Sequence, residues 1–175
     1  MKIGLKLALM VFPLWTAAFN AAATAQAYDD SGDRRLISAE QGQALAEFAL
    51  QAGPRVRPQP DCSHLVHLLY DRAGLAYPYE DSRVLYGGVA DFERVKKPQP
   101  GDLVVWRGHV GIVLSAKETT FLSSVRSGII TESWKAGHWV RRGRPHFFRY
   151  RIGPAADLTL LAAIIDDDRS AQNEK

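Results

Sequence analysis

The chain holds a single cysteine, Cys62, and the residues around it leave its local structure little choice. In Asp61-Cys62-Ser63-His64-Leu65-Val66-His67-Leu68-Leu69-Tyr70, Asp61 is a strong N-cap type. Cys62, Leu65/Val66, Leu69 and Ala73 then recur at helical spacing until Gly74 supplies a stop. Upstream, the prolines between Pro54 and Pro60 exclude both a helix and a paired strand, so that segment reads as an extended connection delivering the chain to the helix. The thiol therefore sits in the first turn. There the unpaired backbone N–H groups and the positive end of the helix dipole favour an anion, and with it the thiolate. On this ground Cys62 has two readings: a nucleophile, or a small buried hydrophobe of the kind most lone cysteines are.

The start of the chain separates them. Residues 1–27 carry a basic opening (Lys2, Lys6), an apolar run from Leu7 to Ala18 and the small-residue ending Ala25-Gln26-Ala27, the pattern of a cleavable secretory signal peptide. The apolar run is too short to span a bilayer, and no cysteine lies near the cleavage point to carry a lipid, so stable membrane insertion is not expected. The mature protein is predicted to begin near Tyr28 and to be periplasmic or secreted, where thiols tend to be oxidised. A lone cysteine cannot form an internal disulfide, and nucleophilic chemistry is the reason to keep one there.

Removal of that leader leaves roughly 148 residues, enough for one domain with a real core. The formal charge of +3 falls as well: Lys2 and Lys6 leave, so 22 basic residues become 20 against 19 acidic ones, or +1. Nucleic acid is not an expected partner of such a chain. The remaining basic residues gather late, in Arg141-Arg142-Gly143-Arg144 and Arg149 to Arg151, either as a solvated face or as a contact for an anionic wall polymer.

Residues 28–36 read as a mobile leader and 37–153 as the domain. Ser38-Ala39-Glu40-Gln41 has the form of a capping box, opening a helix on Leu45, Phe48, Ala49 and Ala52 that Gly53-Pro54 ends. From Leu75 to Gln99 the chain is loop-rich, with a short helix capped by Asp81 over Ser82 to Tyr86, and its tyrosines and arginine suit a binding wall. Beyond Pro100-Gly101 the pattern turns to strands: Asp102 to Trp106, Val110 to Leu114, Thr119 to Val125, Gly128 to Trp134 and Phe147 to Ile152. The expectation is an α+β domain, helices followed by an antiparallel sheet of about five strands. Residues 154–165 suit a C-terminal helix, and 166–175 a disordered tail. No run has zinc-ligand spacing or the form of a phosphate loop, so neither a metal nor a cofactor is expected.

A cysteine nucleophile needs a base, and the base needs a polar group to orient it. His64 and His67 lie on the cysteine's own helix, two and five positions on, and do not point back at it. His138 and His146 fall in Gly- and Arg-rich connections. His109 opens a strand at the Arg107-Gly108 corner, where an imidazole can be held rigidly against a helix start.

Asp61-Cys62-Ser63, Pro100-Gly101-Asp102-Leu103-Val104-Val105-Trp106 and His109-Val110-Gly111-Ile112-Val113-Leu114 resemble, in order and separation, the D-C-S-G, P-G-D-L-V-F-F and H-V-G-I-Y-L blocks of the NlpC family of bacterial cell-wall cysteine peptidases. The resemblance spans roughly residues 45 to 134. It implies a papain-like fold and hydrolysis of amide bonds in peptidoglycan stem peptides, often next to D-glutamate. It also implies Cys62 as nucleophile, His109 as base, and Asp61, Ser63, Ser82 and Arg83 as residues of the substrate pocket. Two positions depart from the family pattern. His64 stands where a glycine is usual. Ser123, after Phe121-Leu122, stands where a His, Asn or Gln is usual; its hydroxyl can accept the imidazole N–H, though it stabilises an imidazolium less than a longer or charged partner. The implied mechanism is acyl transfer to water, with backbone N–H groups at the helix start holding the oxyanion. Two alternatives stand beside it. A CHAP-type peptidoglycan amidase shares the strand pair, and an inactive relic of the fold that binds wall or partner protein would accommodate both departures.

Overall fold

The structure, a computed structural model, describes residues 34–153. The expected signal peptide, the expected leader up to residue 33, the expected helix over 154–165 and the expected tail lie outside the described residues.

Helix α1, Ala39–Ala52, starts where the capping box requires. The Ser38 hydroxyl accepts the Gln41 N–H, and the Gln41 side chain accepts the Ser38 N–H at 2.8 Å. Its buried face is Gly42, Leu45, Ala46 and Ala49. The proline segment that follows begins with a single 3-10 turn, Gly53–Arg55, in which Pro54 occupies a first-turn position that needs no N–H. Helix α2, Cys62–Arg72, carries Cys62 as its first residue and buries Leu65, Val66, Leu69 and Tyr70. Helix α3, Ser82–Gly87, is capped by Asp81.

The sheet has seven strands, more than the five or so expected: β1 (Arg35–Leu36), β2 (Phe92–Val95), β3 (Leu103–Trp106), β4 (His109–Ser115), β5 (Thr120–Val125), β6 (Gly128–Ser133) and β7 (His146–Ile152). Every pairing is antiparallel, in the order β1-β7-β3-β4-β5-β6, and β2 also pairs β7. The additional strands are β1, at the end of the expected leader, and β2, inside the expected loop region. Both are short, and both owe their strand geometry to β7, more than fifty residues away (Leu36 opposite Arg151, Phe92 opposite Tyr150). A fourth helix, α4 (Gly137–Arg141), occupies what reads as a Gly- and Arg-rich connection; its N-cap Ala136 offers no capping side chain, so nothing local announces it.

The sheet is covered on both faces. On one, Leu103, Val105, Val110, Ile112, Leu122, Phe148, Tyr150 and Ile152 pack with the helices in the main core. On the other, Val104, Trp106, Val113 and Phe121 pack with Trp139 of α4. Hence β3 shows no polar alternation: Leu103-Val104-Val105-Trp106 is buried throughout. Two glycines allow close approaches. Gly101, at φ +80°, lies so near α1 that a Cβ there would come 2.5 Å from the Gly42 carbonyl oxygen. A Cβ on Gly111 would meet the Phe121 ring at 2.5 Å, so its absence lets β5 close on β4.

The late basic run does not form one solvated face. Arg149 makes two 2.9 Å bonds to the carboxylate of Asp102, which is 0% exposed. Burial pushes that carboxyl up from its usual range, and the guanidinium and the Gln99 N–H offset the effect only in part. Arg151 pairs with Glu93. Arg141, Arg142 and Arg144 remain exposed. Among the described residues, no helix is long and apolar enough to cross a membrane.

Candidate active site

Cys62 owes its position to a local cap. The Asp61 Oδ1 atom accepts the N–H groups of Ser63 at 2.9 Å and His64 at 3.0 Å, while Oδ2 lies 2.8 Å from His64 Nδ1. Burial pushes the Asp61 carboxyl up, but these bonds outweigh it and hold the group below the ordinary carboxylate range. The residues just before the helix are tied to the end of β5. Gln59 donates to Ser124 Oγ (3.2 Å) and the Val125 carbonyl (2.7 Å), and Ser124 donates to the Pro60 carbonyl (2.5 Å). Cys62 is left half-buried on an open cleft of about 470 Å³ that His109 also lines.

His109 is fixed by the interior. It opens β4 directly after Gly108, whose φ of +79° turns the corner, and it is 5% exposed. By strand alternation it shares the face of Gly111 and Val113, so its ring belongs to the aromatic side of the sheet, 4.6 Å from Trp139 between centroids. Its Nε2 lies 2.9 Å from Ser123 Oγ. The Ser123 hydroxyl has one proton, and it goes to the Val110 carbonyl at 2.6 Å. Ser123 must therefore accept from His109, which places the imidazole proton on Nε2 and leaves Nδ1 bare. Burial, followed by the charge of Arg142, holds the imidazole down to about 4. It is neutral at pH 7, the form that can take a proton.

The other sequence-derived candidates divide. Asp61 lines the cleft. Ser63 is buried beside the thiol, Oγ to Sγ 4.0 Å. Ser82 is buried at the start of α3 and Arg83 is exposed on it, and neither lines the cleft. His64, in place of the family's glycine, does not crowd the sulfur: its ring is held by Asp61 and stacks on Tyr79 at 4.3 Å. Of the tyrosines expected to form a binding wall, Tyr77 is buried and only Tyr79 is well exposed. The helix-start donors expected for an oxyanion are fewer than the sequence implies, because Asp61 occupies two of them and leaves the Cys62 N–H.

Sequence reasoning missed Gln59, Ser124 and Arg126 on the cleft and Trp139 behind His109, and it named Arg142 only as part of a basic run without placing it on the cleft. The available signal was Trp139 itself, a large apolar side chain in an otherwise polar stretch. Its indole N–H donates to Glu132 at 2.5 Å, and the Arg142 guanidinium lies 5.2 Å from its ring.

The sequence model of the NlpC/P60 family matches residues 47–145, a span that contains Cys62, His109 and Ser123. The chain belongs to the NlpC/P60 family. Members of the NlpC/P60 family are cysteine peptidases and amidases of peptidoglycan, and helices packed on an antiparallel sheet are their papain-like architecture. A comparison with curated proteins finds no match. Among the described residues, no group of three or more His, Cys, Asp or Glu side chains is arranged to hold a metal ion.

Proposed function

We propose that this protein is a periplasmic or secreted cysteine hydrolase that cuts amide bonds in peptidoglycan stem peptides, with Cys62 as nucleophile, His109 as base and Ser123 as the residue that orients the base. The observation that carries this reading is the relay from the Val110 carbonyl through Ser123 to His109 Nε2, beside a cleft that exposes Cys62. An imidazole fixed as the Nε2–H tautomer presents its Nδ1 lone pair to a proton donor. In the proposed sequence Nδ1 takes the Cys62 proton, and the sulfur attacks a stem-peptide carbonyl. The Cys62 N–H supports the oxyanion, and the protonated imidazole gives its proton to the leaving amine. Water then releases the acyl group. The signal-peptide pattern of residues 1–27 supports the location, since peptidoglycan lies outside the cytoplasm.

The test uses mature protein on purified peptidoglycan, with the released fragments weighed by mass spectrometry. Cleavage within the stem peptide that disappears in Cys62→Ala supports the proposal. Fragments cut between glycan and peptide would instead assign the CHAP-type amidase reaction. The short neutral Ser123 favours a second reading, a binding relic without turnover. That reading requires no cleavage, and iodoacetamide labelling of Cys62 no faster than a free thiol and indifferent to His109→Ala.

A further inference from the structure

Two arginines border the cleft that holds Cys62 and His109: Arg126, just beyond β5, and Arg142, just beyond α4. Elsewhere in the domain the arginines that reach a carboxylate are paired with it, as Arg34 is with Asp91, Arg149 with Asp102 and Arg151 with Glu93. Arg126 and Arg142 differ. Among the described residues neither meets a carboxylate, and the contact Arg142 makes is with the face of Trp139 at 5.2 Å, which sets where its charge sits without neutralising it. The one acidic residue on the cleft, Asp61, is engaged by the Ser63 and His64 N–H groups and the His64 ring. The cleft thus carries two uncompensated guanidinium groups close to the candidate nucleophile. Guanidinium groups bind carboxylates through paired, charge-assisted N–H···O bonds.

We propose that Arg126 and Arg142 form an anion subsite that takes a carboxylate of the substrate next to the bond being cut. As a statement about substrate it rests on the hydrolase reading above. As a statement about charge beside Cys62 it can be tested apart from that reading. It selects stem peptides that bear a free carboxylate near the scissile amide over those in which that carboxylate is amidated.

The experiment compares alkylation of Cys62 in the full mature chain by iodoacetate, which carries a carboxylate, and by iodoacetamide, its neutral counterpart of similar size. The readout is the ratio of the two rates, because a ratio cancels changes in the intrinsic reactivity of the thiol. The subsite predicts a ratio about fivefold or more above that of N-acetylcysteine under the same conditions, declining as salt is raised. Arg126→Gln with Arg142→Gln brings the ratio to that of the free thiol, and Arg142→Glu takes it below. Both side chains are exposed, so the substitutions are expected to leave the fold intact, which circular dichroism checks. A wild-type ratio equal to that of N-acetylcysteine, or one the double substitution leaves unchanged, overturns the proposal. An elevated, arginine-dependent ratio in a protein that cuts no peptidoglycan keeps the subsite and removes the hydrolase; cleavage with an ordinary ratio does the reverse.

Discussion

The two walls of the cleft are held by different means. The helix wall is set mainly by its own cap: Asp61 caps the turn that bears Cys62, and just before it Gln59 and Pro60 are tied across the chain to Ser124 and Val125. The sheet wall is built from residues far apart in the chain and out of water, with His109 held by Ser123 and backed by Trp139. The helix wall can yield locally and recover, since its bonds are at the rim and water can replace them. The sheet wall has no such reserve, because the Ser123–His109 bond is buried and removing the hydroxyl strands the imidazole N–H inside the protein.

The largest effect is expected where the walls meet. Cys62→Ala and His109→Ala each lower peptidoglycan cleavage by roughly 10⁴-fold or more with the fold intact, and the double variant loses little beyond either single one, measured as turnover and as circular dichroism. Additive losses would mean that the two residues do not act as a unit.

The next effect is one of pH and belongs to the sheet wall alone. An unfolded imidazole takes up its proton near 6.5, whereas the folded His109 does so only near 4. Between those values the unfolded chain binds the extra proton, so stability is lost as pH falls through that window. The loss approaches ~3 kcal/mol once both states are protonated. Urea unfolding at pH 7 and pH 4.5 should show a drop that His109→Gln largely abolishes; an equal drop in the variant would place the acid sensitivity elsewhere.

Smaller again is Ser123→Ala. It leaves the His109 N–H without its acceptor and frees the tautomer, with an expected 10- to 100-fold loss in kcat, little change in KM, and destabilisation of about 1–3 kcal/mol. A loss of stability with full turnover would make Ser123 a packing residue only. The smallest effect is on the helix wall: Asp61→Ala removes a cap and destabilises by about 1 kcal/mol, and Asp61→Ser recovers most of it. A cost of several kcal/mol there would erase the contrast between the walls.

The same contrast explains what the sequence disclosed. The helix wall was legible because its cause is local: the cap at Asp61, the helical spacing of Leu65 and Leu69, and the stop at Gly74 all fall within one short stretch. His109 was legible as the opener of a strand at a glycine corner, and Ser123 as the hydroxyl after Phe121-Leu122, but the proton that decides the tautomer goes to the Val110 carbonyl, which has no sequence signal. Strands β1 and β2 were missed because pairing with β7 makes them strands. Helix α4, with Trp139, was missed because it is short and lacks a capping side chain. Ser82 and Arg83, which the family resemblance implies for the substrate pocket, are not among the residues lining the cleft.

Arg35 lies opposite Ile152, so the described domain begins and finishes side by side. That shared corner is at one margin of the sheet, three strands across from β4, which bears His109. A tether, tag or extra module joined directly at either end of the described domain would therefore hang from the same corner like a stalk, on a different strand from the one that bears His109.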